Sequence, residues 1–417
     1  MYQHKVFKII LDDKDVMIFI PTLFKVYIIS VEQISKIPDY ISSPEPNSIS
    51  RWESLPDYTF LGTNLILTNN CNLACVYCYA DCGPKKNTTM TKEIAIAAID
   101  YIAKCAQETK HGLIYANMFG GEPTQAWDTL TTAVMYLKEK AKKISCRGRA
   151  TITTNGCMEP HQVKWLIDNM DSISMSFDGY KQIQDAHRSN SFDEAFKNAK
   201  EIYKNAPKLL RLRSTVSEFS VEFLPDIVKF FGENFPGCNQ MYEPLFRIGR
   251  GENSKYGMPS PKKFFDKFLE SLPIAEKFNC KLKTSILNLG SKNSEFCGVA
   301  AHNFMVTPDG RCTTCNRMAD NKAEVSGSFN YGYFNIGTKK WEFNDEIYQK
   351  LKNLSSKNLS ECQNCFAFSN CKGDCIANKA TIDPKKFWTE KSNRCSEIQE
   401  FIKQVLLYSV EKESSLV

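Results

Sequence analysis

The chain has 417 residues, 42% hydrophobic and 24% charged, an ordinary balance for a globular fold and enough length for two or three domains. No apolar run reaches the about 18 residues of a membrane span, and Met1–Lys5 leading into Asp12, Asp13, Lys14 and Asp15 is no signal peptide, so no membrane partner and a cytoplasmic location are expected. The formal charge of +6 is spread over scattered lysines, which excludes nucleic acid as the expected partner, and 17 cysteines in so long a chain point to metal rather than a disulfide framework.

In chain order, Val6–Leu11, Val16–Ile20 and Lys25–Ser30 are short β-branched runs separated by polar or proline breaks, which predicts a three-stranded meander. Ile37–Pro56 holds four prolines and five serines and reads as a linker. From residue 60 a βα alternation begins. The strand candidates are Asn64–Thr68, Leu113–Phe119, Ala150–Thr154, Ile173–Phe177, Leu209–Val216 and Gln240–Leu245, and between them Thr91–Gln107, Trp127–Lys143 and Phe192–Asn205 carry helical periodicity. Six such units predict a parallel sheet with right-handed crossovers, too short to close an eight-stranded barrel. The α/β fold expected is therefore a partial (βα)6 TIM-type barrel over residues 60–290. A small β-rich unit over 1–59 precedes it, and a loop-rich, metal-organised domain over 291–417 follows, where eight cysteines fall between Cys297 and Cys395.

In a barrel of this kind the active site lies at the carboxyl ends of the strands. Four motifs fall on that rim: Cys71, Cys75 and Cys78 after the first strand, Gly120-Gly121-Glu122-Pro123 after the second, Asn155-Gly156 after the third and Asp178-Gly179 after the fourth. Three thiolates at C-x3-C-x2-C spacing leave a four-iron cluster one ligand short, with an iron open to substrate. A zinc knuckle or ferredoxin loop closed by Cys82 is the bland alternative; zinc wants a second Cys or His pair, and the chain has only five histidines.

The spacing, with Tyr77 before the last cysteine, resembles the signature of the radical S-adenosylmethionine (SAM) enzymes. The resemblance implies a [4Fe–4S] cluster on Cys71, Cys75 and Cys78 that cleaves SAM to a 5′-deoxyadenosyl radical. It also implies SAM contacts from Tyr77, from Gly120, Gly121 and Glu122 (a GGEP motif whose glutamate accepts from the SAM ammonium), and from Asn155, Ser176 and Asp178. Arg213, on the fifth strand, is placed to pair with the SAM carboxylate, and Arg188 to order the fourth-strand loop.

Downstream, Cys362-x2-Cys365-x5-Cys371-x3-Cys375, then Cys395, preceded by Cys297, Gly310 and Cys315, resembles the SPASM domain. That likeness implies two auxiliary [4Fe–4S] clusters, three in all. Cys362, Cys365, Cys371 and Cys395 would hold one, and Cys297, Cys315 and Cys375 the other, its fourth ligand left between Cys312, Cys280 and a substrate thiolate. Cys105, Cys146, Cys157 and Cys238 read as packing residues.

Most enzymes of this type modify peptides. The expected function is hydrogen abstraction from a ribosomally made precursor peptide, forming a thioether or other cross-link, with electrons from an external flavodoxin- or ferredoxin-type donor and residues 1–59 as a leader-binding element. The oligomeric state is left open. Sulfatase maturation is a second expectation, weakened because Asn316 follows Cys315 where those enzymes place an acidic base, and an amide takes no proton at neutral pH. A redox protein that does not use SAM is a third.

Overall fold

The computed structural model describes residues 2–414 except 24, 44–54, 85–86, 288–295, 301, 320–323, 355–358 and 384–389. The N-terminal unit contains β1 (Tyr2–Lys5), β2 (Phe7–Ile10), β3 (Asp15–Ile20), β4 (Lys25–Ser30) and β5 (Tyr40–Ser43). Strands β2, β3 and β4 form the expected antiparallel meander, while β1 pairs with β5, taken out of the stretch read as linker. Residues 44–54 of that linker lie outside the described residues.

Alternation along β3 gives the meander two buried faces. Val16, Ile18 and Ile20 close a small core of their own with Ile34 and Ile41. Met17 and Phe19 point the other way and join the main core of the molecule. The unit is therefore docked on the barrel rather than set apart from it.

The central sheet starts with β6 (Gly62–Ile66) and continues through α1 (Lys92–Glu108), β7 (Leu113–Phe119), α2 (Trp127–Lys143), β8 (Arg147–Thr154), α3 (Pro160–Asn169), β9 (Ser172–Ser176), α4 (Lys181–His187), α5 (Phe192–Asn205), β10 (Leu210–Val216), α6 (Leu224–Asn234), β11 (Asn239–Pro244), α7 (Pro261–Lys277) and β12 (Lys281–Lys283). Each neighbouring pair from β6 to β12 is parallel. The helices form where apolar residues recur at helical spacing behind a cap. In α1, the Thr91 side chain accepts from the Ile94 amide, and Ile94, Ala98, Ile99 and Ile102 are buried on one stripe. In β7, Ile114, Ala116 and Met118 are fully buried, and the intervening residues face the barrel interior. There Asn64, Asn117 and Thr151 link side chain to side chain across β6, β7 and β8, each bond 3.0 Å, so the inner face of this sheet is polar.

After β12 come β13 (Met305–Val306), β14 (Arg311–Thr313), β15 (Asn330–Asn335), β16 (Lys340–Phe343), α8 (Asp345–Lys352), α9 (Ser360–Gln363), α10 (Phe368–Cys371), α11 (Ile376–Ile382) and α12 (Cys395–Ser414). The expected boundary at residue 290 is not a break in the sheet. Strand β13 pairs in parallel with β6, and β14, β15 and β16 extend it antiparallel into one eleven-stranded sheet. The aromatic cluster of Phe60, Tyr101, Phe304, Tyr331 and Trp341 seals this junction. At the other side α12 stacks Phe401 on Phe265 of α7, ring centroids 4.5 Å apart. No helix among the described residues is long and apolar enough to cross a membrane.

Candidate active site

A cavity of about 210 Å³ opens at the carboxyl ends of the parallel strands. Its wall includes Cys71, Cys75, Tyr77 and Cys78 from the loop after β6, Gly120 and Gly121 after β7, Asn155 after β8, Ser176 on β9 and Arg213 on β10. The two glycines are sterically required: a Cβ on Gly120 (φ +151°) would lie 2.6 Å from the Thr68 carbonyl oxygen, and one on Gly121 would lie 2.3 Å from that of Asn70. They let the second-strand turn lie flat against the cysteine loop.

The loop is held from several sides. The Asn155 side chain donates to Asn72 Oδ1 at 2.8 Å and accepts from the Cys157 amide at 2.8 Å. Arg250 Nε donates to the Cys75 carbonyl at 2.8 Å, and the Val76 amide donates to the His187 carbonyl at 3.0 Å. The sulfurs themselves face donors: the Leu73 amide at 3.4 Å and Asn155 Nδ2 at 3.8 Å on Cys71, and Arg188 Nη1 at 3.8 Å on Cys75. Burial pushes the Cys71 thiol up to about 12 and raises that of Cys75, and a metal that takes these sulfurs as thiolates releases their protons. A hydrogen bond from Cys82 lowers the thiol of Cys78.

Two expected SAM contacts lie buried behind the cavity wall. Glu122 does not line the cavity. It is fully buried, and its oxygens accept from the Thr124 amide and hydroxyl, the Thr154 hydroxyl and the Asn155 amide at 2.7–3.1 Å. Its carboxylate organises the β8 end that carries Asn155. Asp178 is likewise fully buried outside the cavity wall. It accepts from the Tyr77 hydroxyl and the Thr215 amide, and pairs with His187 Nδ1 and Arg188 Nε, both at 3.1 Å. Burial works against its charge, but the Arg188 guanidinium and the His187 and Tyr77 bonds prevail and hold it at about 2. Arg188 orders this loop, as its position after the fourth-strand motif predicts, and lies over the Tyr77 ring at 5.3 Å.

Ser176 and Arg213 are register partners on β9 and β10, and neither side chain has a hydrogen bond or ion pair to a described residue. A free guanidinium at the cavity wall suits a carboxylate. Sequence reasoning missed Glu243 and its register partner Thr215, and also Tyr79, Phe246, Arg250 and Arg317, all in the same wall. None sits in a recognisable motif; the one available signal was that Thr215 and Glu243 end strands already predicted.

Among the described residues, no three His, Cys, Asp or Glu side chains converge to hold a single metal ion; the three thiols surround a cavity instead. Three sulfurs, amide and guanidinium donors aimed at two of them, a glycine-backed floor and a free arginine form a donor set that fits an iron–sulfur cluster with an amino-acid-bearing ligand beside it. Residues 65–212, which span this loop and the strands behind it, match the family model of the Radical SAM superfamily.

Residues 65–212 are a radical SAM domain.

Over these residues the chain carries the domain of radical SAM enzymes. The radical SAM cyclopropyl synthase TigE of Paramaledivibacter caminithermalis is 21% identical over 344 residues, 75% of this chain and 67% of that protein. Fe-coproporphyrin III synthase of Methanosarcina barkeri is 27% identical over 172 residues, 40% of each chain. Among solved structures, anSMEcpe with bound AdoMet and the Cp18Cys peptide superposes with a TM-score of 0.65 at 19% identity, covering 85% of this chain and 99% of its own. SuiB of Streptococcus suis bound to S-adenosylmethionine gives 0.60 at 14%, covering 94% and 98%. At such identities the likeness is one of fold, and it extends well beyond the radical SAM domain.

The downstream cysteines fall into two groups. Burial raises the thiols of Cys362, Cys371 and Cys395, and mutual proximity with Cys365 raises them further, so these four lie together where α9, α10 and α12 meet. Burial also raises Cys315, to about 11, with Cys375 the next contributor. Cys297 is exposed.

The two candidate fourth ligands lie in different surroundings. Cys312 is fully buried on β14, and its neighbours include Tyr101 and Tyr331. It therefore sits in the aromatic junction. Cys280 precedes β12, at the amino end of the barrel beside Cys238, the end opposite the cavity.

Proposed function

We propose that the chain is a peptide maturase: it binds SAM and a [4Fe–4S] cluster at Cys71, Cys75 and Cys78 and abstracts hydrogen from a residue of a ribosomally made precursor peptide, forming a thioether or other cross-link. When bound, the reduced cluster and SAM supply a 5′-deoxyadenosyl radical. The observation that carries this is one cavity uniting three thiols, the Gly120–Gly121 floor and the unpartnered Arg213. Arg213 and Ser176 bind the carboxylate and hydroxyls of SAM. Asn155 holds Cys71 and Asn72 in place, and Glu122 and Asp178 act one layer behind, fixing Asn155 and Tyr77.

Two auxiliary clusters, on Cys362, Cys365, Cys371 and Cys395 and on Cys297, Cys315 and Cys375, complete the set of three, and an external flavodoxin- or ferredoxin-type protein supplies electrons. The substrate enters between the barrel mouth and residues 291–417. The likeness to anSMEcpe, solved with a bound peptide, supports a peptide substrate, and the meander of residues 1–59 is the element proposed to grip the leader, in a cytoplasmic setting. Incubation of the reduced enzyme with SAM and a panel of short cysteine-containing peptides tests this: a loss of two hydrogens from a peptide supports cross-linking, and an unchanged mass across the panel counts against it.

Sulfatase maturation is the second reading, favoured by the TM-score to anSMEcpe. Against it stands Asn316, which lines the cavity and donates to the Tyr79 hydroxyl at 2.9 Å, an amide where a base is needed.

A further inference from the structure

Arg317 follows Cys315 on a single 3-10 turn, Asn316–Met318. Its guanidinium carbon lies 4.5 Å from the centroid of Phe246, and Nη1 lies 3.7 Å from the Cys375 sulfur. It lines the main cavity and also a second one of about 280 Å³ behind Tyr79. The guanidinium thus stands between the space proposed for SAM and the cysteines proposed for an auxiliary cluster.

Arg394 shows by contrast what is unusual here. It lies over the same Phe246 ring at 5.4 Å, but its charge is cancelled by two bonds to Asp374, at 2.6 and 2.7 Å. Arg317 has no carboxylate within ion-pair distance among the described residues. Its polar contact with a described side chain is to the sulfur of Cys375, and the charges of Cys315, Glu243 and Tyr79 also act on it from farther off. An enclosed cation costs several kcal/mol unless it is paired, and a thiolate on Cys375 would be the anion in contact with it, acting on it ahead of Cys315 and Glu243.

We propose that Arg317 is the electrostatic partner of the Cys375 auxiliary cluster and raises its reduction potential, making that cluster the electron acceptor on the cavity side. The inference rests on the auxiliary clusters proposed above. A positive charge and an N–H···S bond both favour the reduced, more negative cluster. Arg317 is a positioning residue in this account: it acts through the cluster and breaks no bond of the substrate.

The test uses the full chain with Cys71, Cys75 and Cys78 changed to Ala, so that only the auxiliary clusters contribute. Iron content and electron paramagnetic resonance potentiometry are then measured with Arg317 intact, with Arg317→Lys and with Arg317→Met. In Arg317→Met, one of the two midpoints is expected to fall so that reduction is at least tenfold less favourable, about 59 mV for one electron. The cluster of Cys362, Cys365, Cys371 and Cys395 should keep its midpoint, and Arg317→Lys, which keeps the charge without the fork, should lie between. Two unchanged midpoints at full iron content in Arg317→Met, or equal displacement of both, would overturn the assignment. A parent triple variant without iron would overturn the auxiliary clusters themselves, and the Arg317 role with them.

Discussion

At the scale of single residues, the cavity divides between groups left free and groups already committed. Arg213 is free, so its replacement should act on the ligand rather than on the fold. Arg213→Ala is expected to weaken SAM binding by about 1.5–3 kcal/mol, the range for hydrogen bonds to a charged group, which is roughly ten- to a hundredfold in an equilibrium-dialysis Kd, with thermal stability unchanged. Asp178 is committed, and its loss should act on the fold. Asp178→Ala leaves Arg188 buried without its anion and should cost about 3–5 kcal/mol of stability. The sign of the pH effect follows from the direction of the shift. A carboxylate held at about 2 when folded and near 3.9 when unfolded stabilises fully above both values. That contribution is lost as the pH falls from about 4 toward 2, and urea titrations at stepped pH should show the slope in the parent and lose it in Asp178→Asn.

At the scale of elements, the downstream cysteines differ in their surroundings. Cys312→Ala is expected to leave iron content unchanged, because the side chain projects into the aromatic junction, whereas Cys375→Ala should lose about one cluster of iron by colorimetric assay. Equal iron loss in both would restore Cys312 as a ligand. The strands and helices that the sequence revealed were those with a strong period and clear ends: Leu113–Phe119, Trp127–Lys143, Phe192–Asn205 and Lys25–Ser30 agree with the observed elements residue for residue. The cysteine loop and the glycine turn were legible because spacing and glycine are local signals. The commitments of Glu122 and Asp178 were not, since each depends on partners from a neighbouring strand end. Nor was the two-residue β13, too short for any period, although it joins the C-terminal strands to the barrel.

At the scale of the molecule, one sheet carries both the strands that end at the cavity and β14, which leads to Cys315. The N-terminal meander contributes Met17 and Phe19 to the same core. Deleting residues 1–55 would uncover that core, and the truncated protein is expected to melt several degrees lower; an unchanged melting temperature would show the meander to be energetically separate. Leader recognition is therefore better probed with substitutions at the exposed Tyr27 and Ile28 of β4, which leave the core intact. Tyr27→Ser with Ile28→Ser should weaken precursor binding in fluorescence anisotropy at unchanged melting temperature, and unchanged binding would remove the meander from leader recognition.

The central claim is that Cys71, Cys75 and Cys78 bind the cluster that cleaves SAM. Its most direct test is the release of 5′-deoxyadenosine from SAM by the reconstituted protein under dithionite, followed by chromatography. The parent should form it, Cys82→Ala should form it too, and the variant with Cys71, Cys75 and Cys78 all changed to Ala should form none while keeping its remaining iron. Cleavage that survives the triple change, or is absent from the fully reconstituted parent, would contradict the account.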